Sequence, residues 1–338
     1  MARLGDAMIW LWAFGYFACY APYSALAKAV SRGLVEGVPK TSGLAVLPVS
    51  IATAVCGMVA FLGLTGWWRY ATRHAVGGWQ IPGPTRFTLA SGLCTSVIAA
   101  TTTLSYTFKG VSIVFAMLLM RGGVLIIAPI VDAITGRRVR ATSWAALGLS
   151  LAALVVAFLE DGGWQLTTIA IVDIAAYLAA YFVRLQLMSR KAKSGERSET
   201  LRFFVEEQFV ATPVVLIALA AVAWLGDSSF AQAVRSGFTE VPSSPVLPYA
   251  LAIGLLSQGT GIFGGLVLLD GRENSFCVPV NRSASVLAGV LASFGLAEIF
   301  GAALPSAWQF AGAALLIAAI VSLSLPSLLA RRAAPVSA

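Results

Sequence analysis

The sequence predicts an all-α polytopic membrane protein, with ten transmembrane helices arranged as two inverted five-helix repeats. Three observations carry that expectation. The 338 residues are 58% hydrophobic and only 11% charged, with mean hydropathy +0.84, whereas a soluble domain carries about a quarter charged residues. Ten stretches approach the ~20 apolar residues that a helix needs to cross a bilayer. Finally, Ser96–Arg121 aligns without a gap on Ser257–Arg282: Ser96 meets Ser257, Lys109-Gly110 meets Asp270-Gly271, and Arg121 meets Arg282. After a small insertion, Ser143-Trp144 meets Ala307-Trp308 and Gly148 meets Gly312.

The expected spans are 8–27, 45–66, 87–107, 111–134, 142–159, 166–187, 203–225, 247–268, 275–299 and 306–328. Residues 1–160 form the first repeat and 161–330 the second, and an odd number of helices in each half inverts the second in the membrane. The first span follows Arg3 and contains Ala25-Leu26-Ala27, which imitates a signal-peptide cleavage site. Tyr23 and Ser31-Arg32, however, echo Tyr181 and Ser189-Arg190 of the sixth span, so the segment is read as helix one. Trp67–Arg86 mixes aromatics with arginines and reads either as an amphipathic segment along the inner headgroups or as a solvated loop. Ser91, Thr95, Ala99 and Thr103 in the third helix, and Ser257, Gly261 and Gly265 in the eighth, are small residues at four-residue spacing. They let helices approach closely in lipid. Static packing is the expectation there, and a sliding helix the functional alternative. Met188–Arg202 is a basic cytoplasmic linker, and Gly226–Leu247 is the longest outer loop, expected to be irregular. Trp10, Trp12, Trp67, Trp68, Trp144, Trp164, Trp224 and Trp308 fall near span ends, as an interfacial aromatic belt requires.

The basic balance, with a pI near 9.6, is a topology signal rather than a sign of nucleic acid. Segments on the N-terminal side of the membrane carry Arg3, Arg69, Arg73, Arg86, Arg137, Arg138, Arg140, Arg190, Lys191, Lys193, Arg197, Arg202, Arg272, Arg331 and Arg332. The opposite segments carry only Lys28, Arg32, Lys40, Lys109 and Arg235. Positive residues collect in cytoplasmic loops, so both termini are expected inside. Preference for arginine over lysine, with abundant alanine, points to a GC-rich bacterial source and its inner membrane. Cys19, Cys56, Cys94 and Cys277 lie within apolar spans without Cys-x-x-Cys spacing, so they read as packing residues. His74 is the only histidine, which removes most zinc and triad chemistry. No Walker loop, His-Glu-x-x-His or Gly-x-Ser-x-Gly occurs, so neither an enzyme nor a cofactor is expected.

Arg121, near the middle of the fourth helix, and Arg282, a third of the way into the ninth, are the leading site residues. An arginine at bilayer depth costs roughly 3 kcal/mol on insertion scales and is functional or paired. Its planar fork can hold a carboxylate, sulfonate or phosphate at two points. The competing reading pairs each arginine internally, Asp173 serving Arg121 and Glu206 or Glu207 serving Arg282. Asp173 also has a proton-relay reading, disfavoured if it pairs with an arginine. Tyr20, Tyr23, Tyr177, Tyr181, Asn281 and Gln258 supply hydrogen-bonding groups in spans that would line a central cavity. Lys28, Lys109 and Arg184 lie near span ends and are expected to snorkel to the headgroups.

The two five-helix halves, and the pattern VSIVFAMLLMRGGVLIIAPIVDAITGRRVRATSWAALGLSLAALVVAF with its partner Ser275–Leu323, resemble the drug/metabolite transporter superfamily in its ten-helix, EamA-like form. That resemblance implies alternating access around a site between the halves. It also implies an acidic residue at the ends of the fourth and ninth helices, where this chain has Gly136-Arg137 and Glu298. Asn281-Arg282 is similar to the lysine-arginine pair of sugar-phosphate translocators, with asparagine in place of the lysine. The leading function is a secondary transporter or exchanger of a small organic anion or zwitterion. The alternatives are a flippase for a phosphate-bearing lipid or lipid-linked headgroup, and a non-transporting membrane scaffold. Expected partners are the substrate, membrane lipids and a second copy in a homodimer, without nucleic acid.

Overall fold

The computed structural model describes residues 2–104, 113–161, 167–194, 196–301 and 307–333. In order these form α1 (Ala2–Arg32), α2 (Gly43–Thr65), the strands β1 (Arg73–Val76) and β2 (Trp79–Pro82), α3 (Arg86–Leu104), α4 (Ile113–Ile134) and α5 (Ala141–Asp161). There follow α6 (Thr168–Lys191), α7 (Arg197–Leu225), α8 (Ser229–Thr239), α9 (Leu247–Leu268), α10 (Asn274–Phe300) and α11 (Ala307–Ala333). Every long helix overlaps one expected span, the last three being α9, α10 and α11. Among the described residues, α2, α6, α7, α9 and α10 are each long and apolar enough to cross a membrane. The chain is therefore an integral membrane protein. Large apolar side chains such as Leu64 (90% exposed) and Ile217 (68%) face outward, which suits lipid and not water.

Helix contacts fall into matched pairs. α1 packs on α9 and α10, while α6 packs on α3 and α4. α2 lies against α9, and α7 against α3; α2 also meets α7, α4 meets α10, and α5 meets α11. Helices α1, α9, α3, α6, α4 and α10 thus surround the centre, with α2 and α7 closing one side and α5 and α11 the other. Glycines bring α1 and α9 together: a Cβ on Gly259 would fall 2.6 Å from Cys19 Sγ, and one on Gly264 2.9 Å from the Tyr16 ring. The closest approach uses these two positions more than Gly261, whose nearest neighbour would lie at 3.9 Å.

Two segments depart from expectation. Trp67–Arg86 is neither an interfacial helix nor a loop: after a 3-10 turn at Trp67–Tyr70, β1 and β2 pair antiparallel, Val76 opposite Trp79. Gly77 and Gly78 both take positive φ (57° and 86°), the geometry of the type I′ turn that matches strand twist. The chain is thus all-α in its architecture, with one small hairpin added among the described residues. The segment Gly226–Leu247, expected to be an irregular outer loop, contains α8, started by Ser228 Oγ accepting from Ala231 N at 3.2 Å and held by Arg235 bonding the carbonyls of Ala223 and Gly226.

Buried acids tie the elements together. Fully buried Asp132, on α4, accepts from the N–H and side-chain amide of Asn274 (both 2.8 Å) and from the N–H and hydroxyl of Ser275 (both 2.7 Å). It satisfies the N-terminal donors of α10, where the helix dipole favours an anion. The buried acid near the end of the fourth helix is therefore Asp132, one turn before Gly136-Arg137. Arg137 instead bonds the carbonyls of Gly271, Ser189 and Lys193. At the mouth of α10, burial pushes the Glu273 carboxyl up, but Arg140 (2.8 and 3.1 Å) and Ser143 (2.8 Å) hold it below the usual carboxylate range.

Candidate functional site: two arginines among tyrosines

Four of the central helices bring the leading residues into one cluster. Arg121 reaches from α4 to α1, where its Nη2 donates to the Tyr20 hydroxyl at 3.2 Å. Arg282 extends from α10 over the ring of Tyr181 on α6, its Cζ 4.9 Å from the centroid. Each arginine thus meets a tyrosine on the first helix of its own half. The rings continue on both sides: Tyr16 stacks on Tyr20 at 5.5 Å, Tyr23 edges Tyr20 at 5.6 Å, and Tyr177 lies 4.9 Å from Tyr181. The two guanidiniums are near enough to repel one another, and both feel Tyr16 and Tyr177.

None of the expected internal counter-ions sits beside these arginines. Fully buried Glu206 accepts from Thr72 N (2.9 Å), Thr72 Oγ1 (2.6 Å), Thr85 N (3.1 Å) and Thr88 Oγ1 (2.7 Å). It anchors the base of the hairpin, not Arg282. Glu207 is taken by Arg184, through Nε to Oε1 and Nη2 to Oε2, both 2.9 Å, with Ser91 and Thr95 also donating to it. Arg184 therefore does not snorkel. It is buried, and its charge is met by a two-pronged pair between α6 and α7. Asp173 is buried, its Oδ2 has no hydrogen-bond partner among the described residues, and it does not pair with Arg121.

Arg282 Nε is buried without a hydrogen-bond partner. Both arginines keep some accessible surface although the central helices pack around them. An enclosed guanidinium with a vacant donor is able to receive an anion, and the tyrosine hydroxyls offer further donors beside it. Asn281 is buried next to Gly264, with Nδ2 3.2 Å from where a Cβ would stand. Gln258, whose Nε2 is also unpartnered, turns toward Gly57 of α2. Arg121, Arg282, Tyr177, Tyr20 and Tyr181 thus gather as expected, Tyr23 stands at the edge, and Gln258 and Asp173 lie apart. Tyr16, not singled out by the sequence, belongs to the cluster. It lies one helical turn from Tyr20, and that spacing was the available signal. Lys28 donates to Ser293 Oγ at 3.4 Å on α10, and Lys109 lies outside the described residues.

A concavity of about 380 Å3 lies between α2 and α7, and neither arginine lines it.

No protein-family model matches the chain, and no curated protein does. Solved structures do match. One, described as "Crystal structure of protein", aligns with a TM-score of 0.55 at 16% identity over 96% of this chain and 98% of its own. At that identity the likeness is one of fold alone.

Proposed function

We propose that this protein is a secondary transporter or exchanger of a small organic anion, working by alternating access between residues 1–160 and 161–330. The observation that carries the reading is the pair of arginines, enclosed among tyrosines and without a carboxylate beside either of them among the described residues. A desolvated guanidinium must be matched, and a substrate anion can match it at one stage of a cycle. The same absence of an acid favours an anion over a zwitterion, whose ammonium would face two positive charges. A scaffold has no use for such a cluster. A flippase needs a lateral opening that reaches the arginines, and the concavity between α2 and α7 does not include them.

The matched helix contacts support ten spans in two inverted repeats. The sequence resemblance favours a drug/metabolite transporter of the EamA-like form, and the arginine- and alanine-rich composition a bacterial inner membrane. Uptake into proteoliposomes tests the function: dicarboxylates, sulfonates and phosphate esters are expected to enter saturably and to compete with one another. Uptake confined to zwitterionic amino acids or to cations would overturn the reading. Orientation has its own test. Ser194 and Ser229 are exposed, and cysteines placed there are expected to label from opposite sides, Ser194 from the cytoplasm. Labelling of both from one side would refute cytoplasmic termini.

A further inference from the structure

The concavity between α2 and α7 lies apart from the two arginines. Its walls are apolar, with Met58 and Leu62 of α2 facing Phe209 and Pro213 of α7, and Trp68 closes one end. Its volume of about 380 Å3 falls in the range of ~300–1,000 Å3 usual for ligand sites.

The closed end is cationic. Trp68 lies beneath the guanidiniums of both Arg69 (5.8 Å) and Arg73 (6.0 Å), which are exposed and form no ion pair among the described residues. Nearby Glu206 cannot neutralise them, because its carboxylate is fully buried and accepts four hydrogen bonds from Thr72, Thr85 and Thr88. Those bonds also fix the root of the hairpin that carries Arg73. A hydrocarbon slot with Trp68 in its lining, and two exposed arginines over the Trp68 ring without an ion pair among the described residues, has the polarity of an anionic phospholipid.

We propose that this groove holds an acyl chain of an anionic phospholipid from the leaflet on the hairpin's side, with the lipid phosphate on Arg69 and Arg73. The proposal rests on the membrane character of the chain and not on its transport activity, so either can fail alone.

Native mass spectrometry of the full-length protein in mild detergent, supplied with phosphatidylglycerol or phosphatidylcholine, tests it. The wild type is expected to retain phosphatidylglycerol roughly thirtyfold better, since two membrane-surface arginines contribute about 1 kcal/mol each. Arg69→Gln with Arg73→Gln should abolish that preference. Gly63→Phe should expel both lipids, since a side chain there enters the groove and its Cβ would meet nothing within 4 Å. Melting without added lipid confirms that each variant is folded. Equal retention of the two lipids by the wild type overturns the proposal, as does a preference that survives the charge change. Undiminished retention by Gly63→Phe does so too, and loss of a dimer with lipid retention unchanged would assign the groove to a second copy of the chain.

Discussion

Arg282→Ala is expected to reduce anion uptake to background while the protein still inserts and melts within a few degrees of the wild type. Both halves of that result follow from the surroundings of Arg282. No carboxylate among the described residues pairs with it, so its removal strands no opposite charge among them. What the fold loses is its contact with Tyr181, of which the ring contact is worth about 0.5–2 kcal/mol. The substrate, by contrast, loses a buried two-pronged donor whose Nε is unoccupied in the protein itself. Arg282→Lys should keep only part of the activity, because lysine retains the charge without the planar fork. Uptake and melting temperature, measured on the same preparations, decide the matter. Full activity in the alanine variant would remove Arg282 from the site, and failure to fold would make it structural.

The sequence displayed the arginines because a charge inside an apolar run is conspicuous wherever the helix turns. It displayed the long helices because each must satisfy its backbone internally across a similar length of lipid. It did not display which face a residue occupies relative to a distant helix, and the partner assignments went astray there. Arg184 lies near a helix end, so its height along the helix suggested an escape to water. Its face, shared with Tyr181 and Met188, points inward onto α7. Adjacent residues on a helix diverge by about 100°, so Glu206 and Glu207 could not both have served Arg282. One reaches the hairpin and the other Arg184. The hairpin itself was legible as Gly77-Gly78 between two short alternating runs, but its aromatic and basic content drew the reading toward an amphipathic surface segment or a solvated loop. Asp132 was overlooked because its partners, Asn274 and Ser275, are long-range and belong to the other half.

Arg184 and Glu207 should behave in the opposite way to Arg282. Glu207→Ala leaves Arg184 (side chain 7% exposed) without its counter-charge, and loss of one member of a buried pair costs about 3–5 kcal/mol. The variant is expected to melt well below the wild type, and its uptake to fall in proportion to the folded protein recovered. Arg184→Met combined with Glu207→Leu should regain most of the lost stability, because an apolar pair of similar volume carries no desolvation cost. The remaining polar groups tolerate the change. Thr95 already donates to the Ser91 carbonyl at 3.0 Å, and a serine in a helix can bond its own backbone in the same manner. Rescue of stability in this double variant, beside inactivity without unfolding in Arg282→Ala, would separate the arginine that holds the helices from the arginine that holds the anion. If the double variant melts as low as Glu207→Ala, or if Glu207→Ala is as stable as the wild type, the pair does not fasten α6 to α7.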